Sequence, residues 1–179
     1  MVIWIIVIVL GVIIDQLTKY LISTNFDVGQ SKEIIKGLIN FTYIRNEGAA
    51  WGIFSNSRWV FIVITAIMII VLPFILYKYR KLHFMFGFSL SLIISGAIGN
   101  MIDRVFAGSV VDFIEFAFFD FPIFNFADCC VTIGAVMMFI YLVFIDKTLF
   151  RSDKNKKADQ TAEGSAPEVP ENDGDGSLQ

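Results

Sequence analysis

FMFGFSLSLIISGAIGNMIDR, the stretch from Phe84 to Arg104, is apolar for most of its length and closes on Asn100, Asp103 and Arg104. From Phe84 to Ile102 it is long enough to cross a bilayer as a helix, because about 20 residues rising 1.5 Å each cover roughly 30 Å of hydrocarbon. Every fourth residue is small or polar: Gly87, Ser91, Ser95, Gly99 and Asp103, with Gly96, Asn100 and Arg104 forming the neighbouring row. Small residues at that spacing let another helix approach closely. The polar end of the same face reads either as a plain helix terminus or as the scaffold of a site.

Three further windows have the same character: Val2 to Ile22, Trp59 to Tyr77 and Ala127 to Ile145. Composition agrees, since 56% of the 179 residues are hydrophobic and 17% are charged, against about 25% charged in soluble domains. The expected fold is therefore an all-α membrane protein of four transmembrane helices, formed by residues 1–151. Met1 to Ile14 lacks the basic start and small-residue cleavage site of a secretory leader, so it is expected to stay as the first helix. Residues 152–179 hold seven of the acidic residues and three lysines, with few large apolar side chains, and are expected to form a disordered acidic tail. The body is then close to neutral, which argues against a nucleic-acid partner.

Lys78, Arg80 and Lys81 crowd one link, and Lys147, Arg151, Lys154, Lys156 and Lys157 follow the last helix. By the positive-inside rule both termini face the cytoplasm, so segments 23–58 and 103–126 lie on the outer side. Within the first of these, Ile39 to Ile44 reads INFTYI, whose β-branched and aromatic residues suggest a short strand or hairpin at the membrane surface. Trp4 and Trp59 read as interfacial belt residues. With one histidine, His83, and two adjacent cysteines, Cys129 and Cys130, no disulfide framework or metal cage is expected. No cofactor is expected either.

Charges in or beside an apolar span call for a partner or a task. Asp15 and Lys19 are four apart, the spacing of an intrahelical ion pair. Asp112, in Val110-Val111-Asp112-Phe113, and Asp128, in Phe124-Asn125-Phe126-Ala127-Asp128, each lie among apolar residues near the outer end of a span. The fifteen residues between them include seven Phe and Pro122, so that linker is expected in the interface, with Glu115 and Asp120 facing water. Neighbouring helices could bring the two carboxylates together, and such a pair shares a proton and offers an acid and a base in one site. Two unrelated interfacial carboxylates fit the spacing as well. A proton relay through Asp15, Asp103, Asp112 and Asp128 in a small transporter or channel is a further reading, and a noncatalytic binder of lipidated peptides another. Arg45-Asn46-Glu47-Gly48-Ala49-Ala50-Trp51-Gly52 reads as a surface turn anchored by Trp51.

Taken in order, these blocks, with Asp15-Gln16-Leu17-Thr18-Lys19 first and Gly99-Asn100-Met101-Ile102-Asp103-Arg104 third, resemble the lipoprotein signal peptidases, the signal peptidase II family of intramembrane aspartyl peptidases. The resemblance covers about Asp15 to Gly134. It implies that Asp112 and Asp128 form a catalytic dyad, that Asn46, Asn100, Arg104 and Asn125 line the substrate site, and that Asp15, Lys19 and Asp103 support it. It also implies diacylglyceryl prolipoproteins as substrates, cut just before the lipid-bearing cysteine, globomycin-type peptides as inhibitors, and a monomer in the bacterial cytoplasmic membrane. Cys129-Cys130 departs from the small, often hydroxyl-bearing residues expected after the second aspartate.

Overall fold

A computed structural model describes residues 1–48, 58–79 and 83–145. Trp51, Gly52, Arg80, Lys81 and the acidic tail lie outside the described residues, as do the expectations that rest on them. The chain divides into two units, Met1–Tyr141 and Leu142–Gln179, and the site lies wholly within the first.

Four apolar helices run Val2–Asn25 (α1), Arg58–Lys78 (α2), Phe84–Phe106 (α3) and Phe126–Ile140 (α4), the last passing into a π-helical turn at Tyr141–Ile145. Each span has the length and hydropathy to cross a membrane. The third is the hub: 56% of its most apolar 18-residue stretch is buried, against 6–17% in the others, and α1, α2 and α4 all pack on it. Its small residues explain why. A Cβ at Gly87 would lie 2.5 Å from the Trp4 indole, and one at Gly96 would collide with the Ala127 carbonyl oxygen. Gly96 lets the α4 backbone come against α3, and Gly87 leaves room for the Trp4 indole of α1. Trp4 is thus 7% exposed and also packs on Phe84, which corrects its reading as a belt residue: the gap at Gly87 takes the indole inward. Trp59, at 72% exposed, is left on the outside. His83 caps α3 through its side chain.

The expected surface strand is the middle of a three-stranded antiparallel sheet. Ser31–Ile35 (β1) pairs with Ile39–Asn46 (β2), which pairs with Val110–Phe116 (β3). Side chains alternate across a strand, so Tyr43, Val111 and Phe113 face one way and form a core with Ile22 and Phe26 at the end of α1. Asp112, between Val111 and Phe113, faces the other way, toward the helices. It lies on a strand, not at a helix end as expected, because Val110 to Ile114 pair with β2 instead of prolonging a span. A bulge between Phe41 and Ile44 sits across from Ile114 and Asp112, a common device for re-aiming a side chain. Glu115, expected in water, is half-buried and accepts from Thr42 across the sheet, whereas Asp120 is exposed.

Candidate active site

Asp128 owes its position to the start of α4. Asn125 is the N-cap: its Oδ1 accepts from the Asp128 amide at 3.0 Å, and Asp128 Oδ2 accepts from the Asn125 amide at 3.1 Å, closing a capping box. The spacing Asn125-x-x-Asp128 carries that signature in the sequence, where it went unread. The second oxygen, Asp128 Oδ1, accepts from Asn100 Nδ2 of α3 at 2.8 Å.

Asp112 is 2% exposed. Its Oδ2 accepts from Asn46 Nδ2 at 2.8 Å and its Oδ1 from Asn125 Nδ2 at 2.6 Å. One residue, Asn125, therefore touches both carboxylates, through its side chain on one and its backbone on the other. Asn125 is 0% exposed and forms no part of the cavity wall, so it braces the pair from behind instead of meeting a ligand, as had been expected of it. Burial pushes the Asp112 carboxyl up from 3.8 to about 6, and the Asp128 charge pushes the same way. The Asn46 and Asn125 donors and the Lys19 charge offset this only in part. Two carboxyls arranged so that one titrates near neutrality can hold a single proton between them.

The pair borders a cavity of about 520 Å³. Asn46, Asn100 and Arg104 join the two aspartates as its amide and charged side chains, and Phe61, Phe116, Phe121 and Phe124 provide much of the apolar wall. Arg104 donates to the Asn100 carbonyl at 3.3 Å and lies 5.1 Å over the Phe61 ring. Phe61 was missed, because nothing distinguishes it in an apolar run. Thr132, one turn beyond Asp128, and Cys129 also line the cavity; Thr132 was legible at its i+4 spacing, but it was not singled out.

Behind the cavity lies a buried charged cluster. Lys19 Nζ is 2.9 Å from Asp15 Oδ2 and 2.9 Å from Asp103 Oδ2. Gln16 joins it, donating to Asp15, to Asp103 and to the Gly99 carbonyl, a role that sequence reading overlooked. Among the described residues, the opposite halves of the spans carry no acidic side chain, so Asp15, Asp103, Asp112 and Asp128 gather toward the sheet end.

Four membrane-length helices closed at one end by a short sheet, with a polar cleft walled by aromatic rings where they meet, define a multi-pass membrane protein with a candidate active site at the sheet end. A family model described as signal peptidase (SPase) II matches residues 7–144. A lipoprotein signal peptidase of Listeria monocytogenes serotype 4a (strain HCC23) is 44% identical over 135 residues, covering 74% of this chain and 87% of that protein. One of Lactobacillus johnsonii is 42% identical over 144 residues, covering 80% and 94%. A solved structure described as "Bacterial membrane enzyme structure by the in meso method at 2.3 A resolution" superposes with a TM-score of 0.75 at 41% identity, covering 84% of this chain and 92% of that one. The chain belongs to the signal peptidase II family. It is a multi-pass bacterial membrane protein and a peptidase.

Proposed function

We propose that this protein removes the signal peptide from bacterial prolipoproteins by cutting before a diacylglyceryl-modified cysteine, with Asp112 and Asp128 as an aspartyl dyad. The observation that carries the reading is Asn125 gripping both carboxylates at a cavity that also presents Asn46, Asn100 and Arg104. The ionised carboxylate takes a proton from water as its oxygen attacks the scissile carbonyl, and the protonated one donates to the carbonyl oxygen. Collapse of the tetrahedral intermediate breaks the C–N bond. As that bond breaks, the proton taken from water passes to the cysteine nitrogen, and the proton lent to the carbonyl oxygen returns to the carboxylate that gave it. The remaining hydroxyl proton is released to solvent, leaving a carboxylate on the signal peptide, a free amine on the lipoprotein and a restored dyad. Asn46, Asn100 and Asn125 hold the carboxylates, Asn46 and Arg104 also face the substrate backbone from the cavity wall, and Asp15, Lys19 and Asp103 brace the site.

A lipidated substrate fits the cavity's character. Phe61 on α2 and Ile133 on α4 both line it, and Ile133 is 53% exposed on the apolar outer surface, so acyl chains can stay in lipid while the peptide reaches the dyad. The aromatic wall keeps bulk water from the reacting carbonyl. The enzyme acts as a monomer at the outer face of the cytoplasmic membrane with both termini in the cytoplasm, and globomycin-type peptides occupy the same cleft. The test is cleavage of a diacylglyceryl prolipoprotein in detergent or liposomes, with and without globomycin. Asp112→Asn and Asp128→Asn should each abolish turnover while the protein still inserts and folds. Substantial residual cleavage in both variants would reject the dyad.

A further inference from the structure

The charged cluster is more than a way to neutralise charge inside an apolar body, because each of its members also holds a part of the site. Asp15 Oδ1 accepts from the Ala127 amide at 2.9 Å, one residue before Asp128. Asp103 Oδ2 accepts from the Val111 amide at 3.3 Å, one residue before Asp112. Lys19 Nζ, which pairs with both acids, also donates to Asn100 Oδ1 at 2.9 Å. That last bond decides which way the Asn100 amide points. With its oxygen held by Lys19 and by Asn125 Nδ2 at 3.2 Å, its nitrogen is turned to Asp128 Oδ1.

We infer that the Asp15–Lys19–Asp103 cluster sets the placement of the two dyad elements against each other, and that Lys19 is a positioning residue acting on Asp128 through the Asn100 amide. This rests on the dyad reading above and adds to it the device that keeps the dyad in register. Lys19 is 3% exposed and does not line the cavity, so it reaches the substrate only through the groups it holds and through its charge, which Asp112 feels. An amide has two orientations of similar shape, and only one presents a donor to Asp128. A cation on its oxygen removes the other orientation, since the flipped amide would set N–H against the ammonium. The same ammonium, bonded to acids on α1 and α3, ties that choice to the packing of the helices themselves.

The test is a double-variant cycle read in kcat and KM on a lipidated substrate. Lys19→Met should lower kcat about 100-fold, the scale of a roughly 1 Å misplacement of a reacting group, with KM within about twofold of the parent. In the cycle kcat is read on the plateau of each variant's pH profile, so that the lost Lys19 charge on Asp112 drops out. Lys19→Met placed on Asn100→Ala should then lower kcat by no more than about twofold beyond Asn100→Ala alone, because the amide through which Lys19 acts is already gone. If Lys19→Met does not accumulate folded, Lys19→Gln, which keeps an N–H donor without the charge, runs the same cycle. Additive losses, or a loss confined to KM, would overturn the proposal. So would failure of both variants to fold, which would leave Lys19 a structural residue only. The dyad reading fails by a different sign, turnover persisting in Asp112→Asn and Asp128→Asn, so the two outcomes are distinct.

Discussion

Asp112→Asn should make the folded protein more stable at neutral pH, by about 2 kcal/mol, and less stable in acid, by about 1 kcal/mol. In the fold, burial and the Asp128 charge hold the Asp112 carboxyl at about 6, against 3.8 when it is free in water. Below 3.8 both states keep the proton and the group has no effect on stability. Between 3.8 and 6 the unfolded chain has released its proton and the folded one has not, so stability is lost as pH rises. Above 6 the full cost of ionising a buried carboxyl is present, about 3 kcal/mol at 1.36 kcal/mol per pH unit. An asparagine cannot ionise and escapes that cost. Its NH2 will meet one of the two amide donors that now serve Asp112, a pH-independent loss of about 1 kcal/mol. The stability difference between variant and parent should therefore open by about 3 kcal/mol between pH 4 and pH 7.5 and then level off. Unfolding of both proteins in detergent, followed across that range, measures it. A difference that stays flat with pH would refute the argument that Asp112 is a strained, proton-holding group.

Asp128→Asn should lower the Asp112 carboxyl from about 6, because it removes the second largest influence raising it; carboxyl-carbon NMR of the labelled protein reads this directly, and an unchanged or higher value would contradict it. Gly87→Ala should destabilise the bundle by about 1–3 kcal/mol, the range for overpacking, since the new methyl would press on the Trp4 indole. Trp4→Ala in the same chain should make that glycine substitution nearly neutral, and a double-variant cycle in thermal unfolding checks it. Ile35, Leu38, Phe118 and Phe119 are all at least 44% exposed, and the Ala117 amide bonds the Leu38 carbonyl, joining the two tips. A nitroxide at Leu38→Cys or Phe119→Cys, with Cys129 and Cys130 changed to serine, should report lipid contact by favouring oxygen over an aqueous nickel chelate, and the reverse preference would place the tip in water.

Much of this protein is legible in one dimension. A span of about 20 apolar residues admits few structures other than a helix, since backbone groups in hydrocarbon must bond within their own segment. The four windows announce themselves for that reason, and the Gly87, Ser95 and Gly99 row does face α1, where Trp4, Gly11 and Asp15 meet it. The pairing of Asp15 with Lys19 follows from spacing alone. The sheet was legible only in its middle strand: β1 and β3 are short, and Val110 to Phe116 lacks strict alternation because both of its faces are partly covered.

Spacing and composition left the relation between Asp112 and Asp128 open, and only the resemblance to a family joined them. In the fold a strand and a helix approach each other there, with Asn125 between them and Asn100 and Asn46 on the outer oxygens. That arrangement depends on contacts between residues far apart in the chain, Lys19 with Asn100 and Asn46 with Asp112 among them, and no local periodicity encodes such contacts. The apolar pattern determined that the chain enters a membrane and how many times it crosses. Which polar groups it carries into contact there was decided by helix packing, because a buried charge or amide must find its partner wherever the packing puts one.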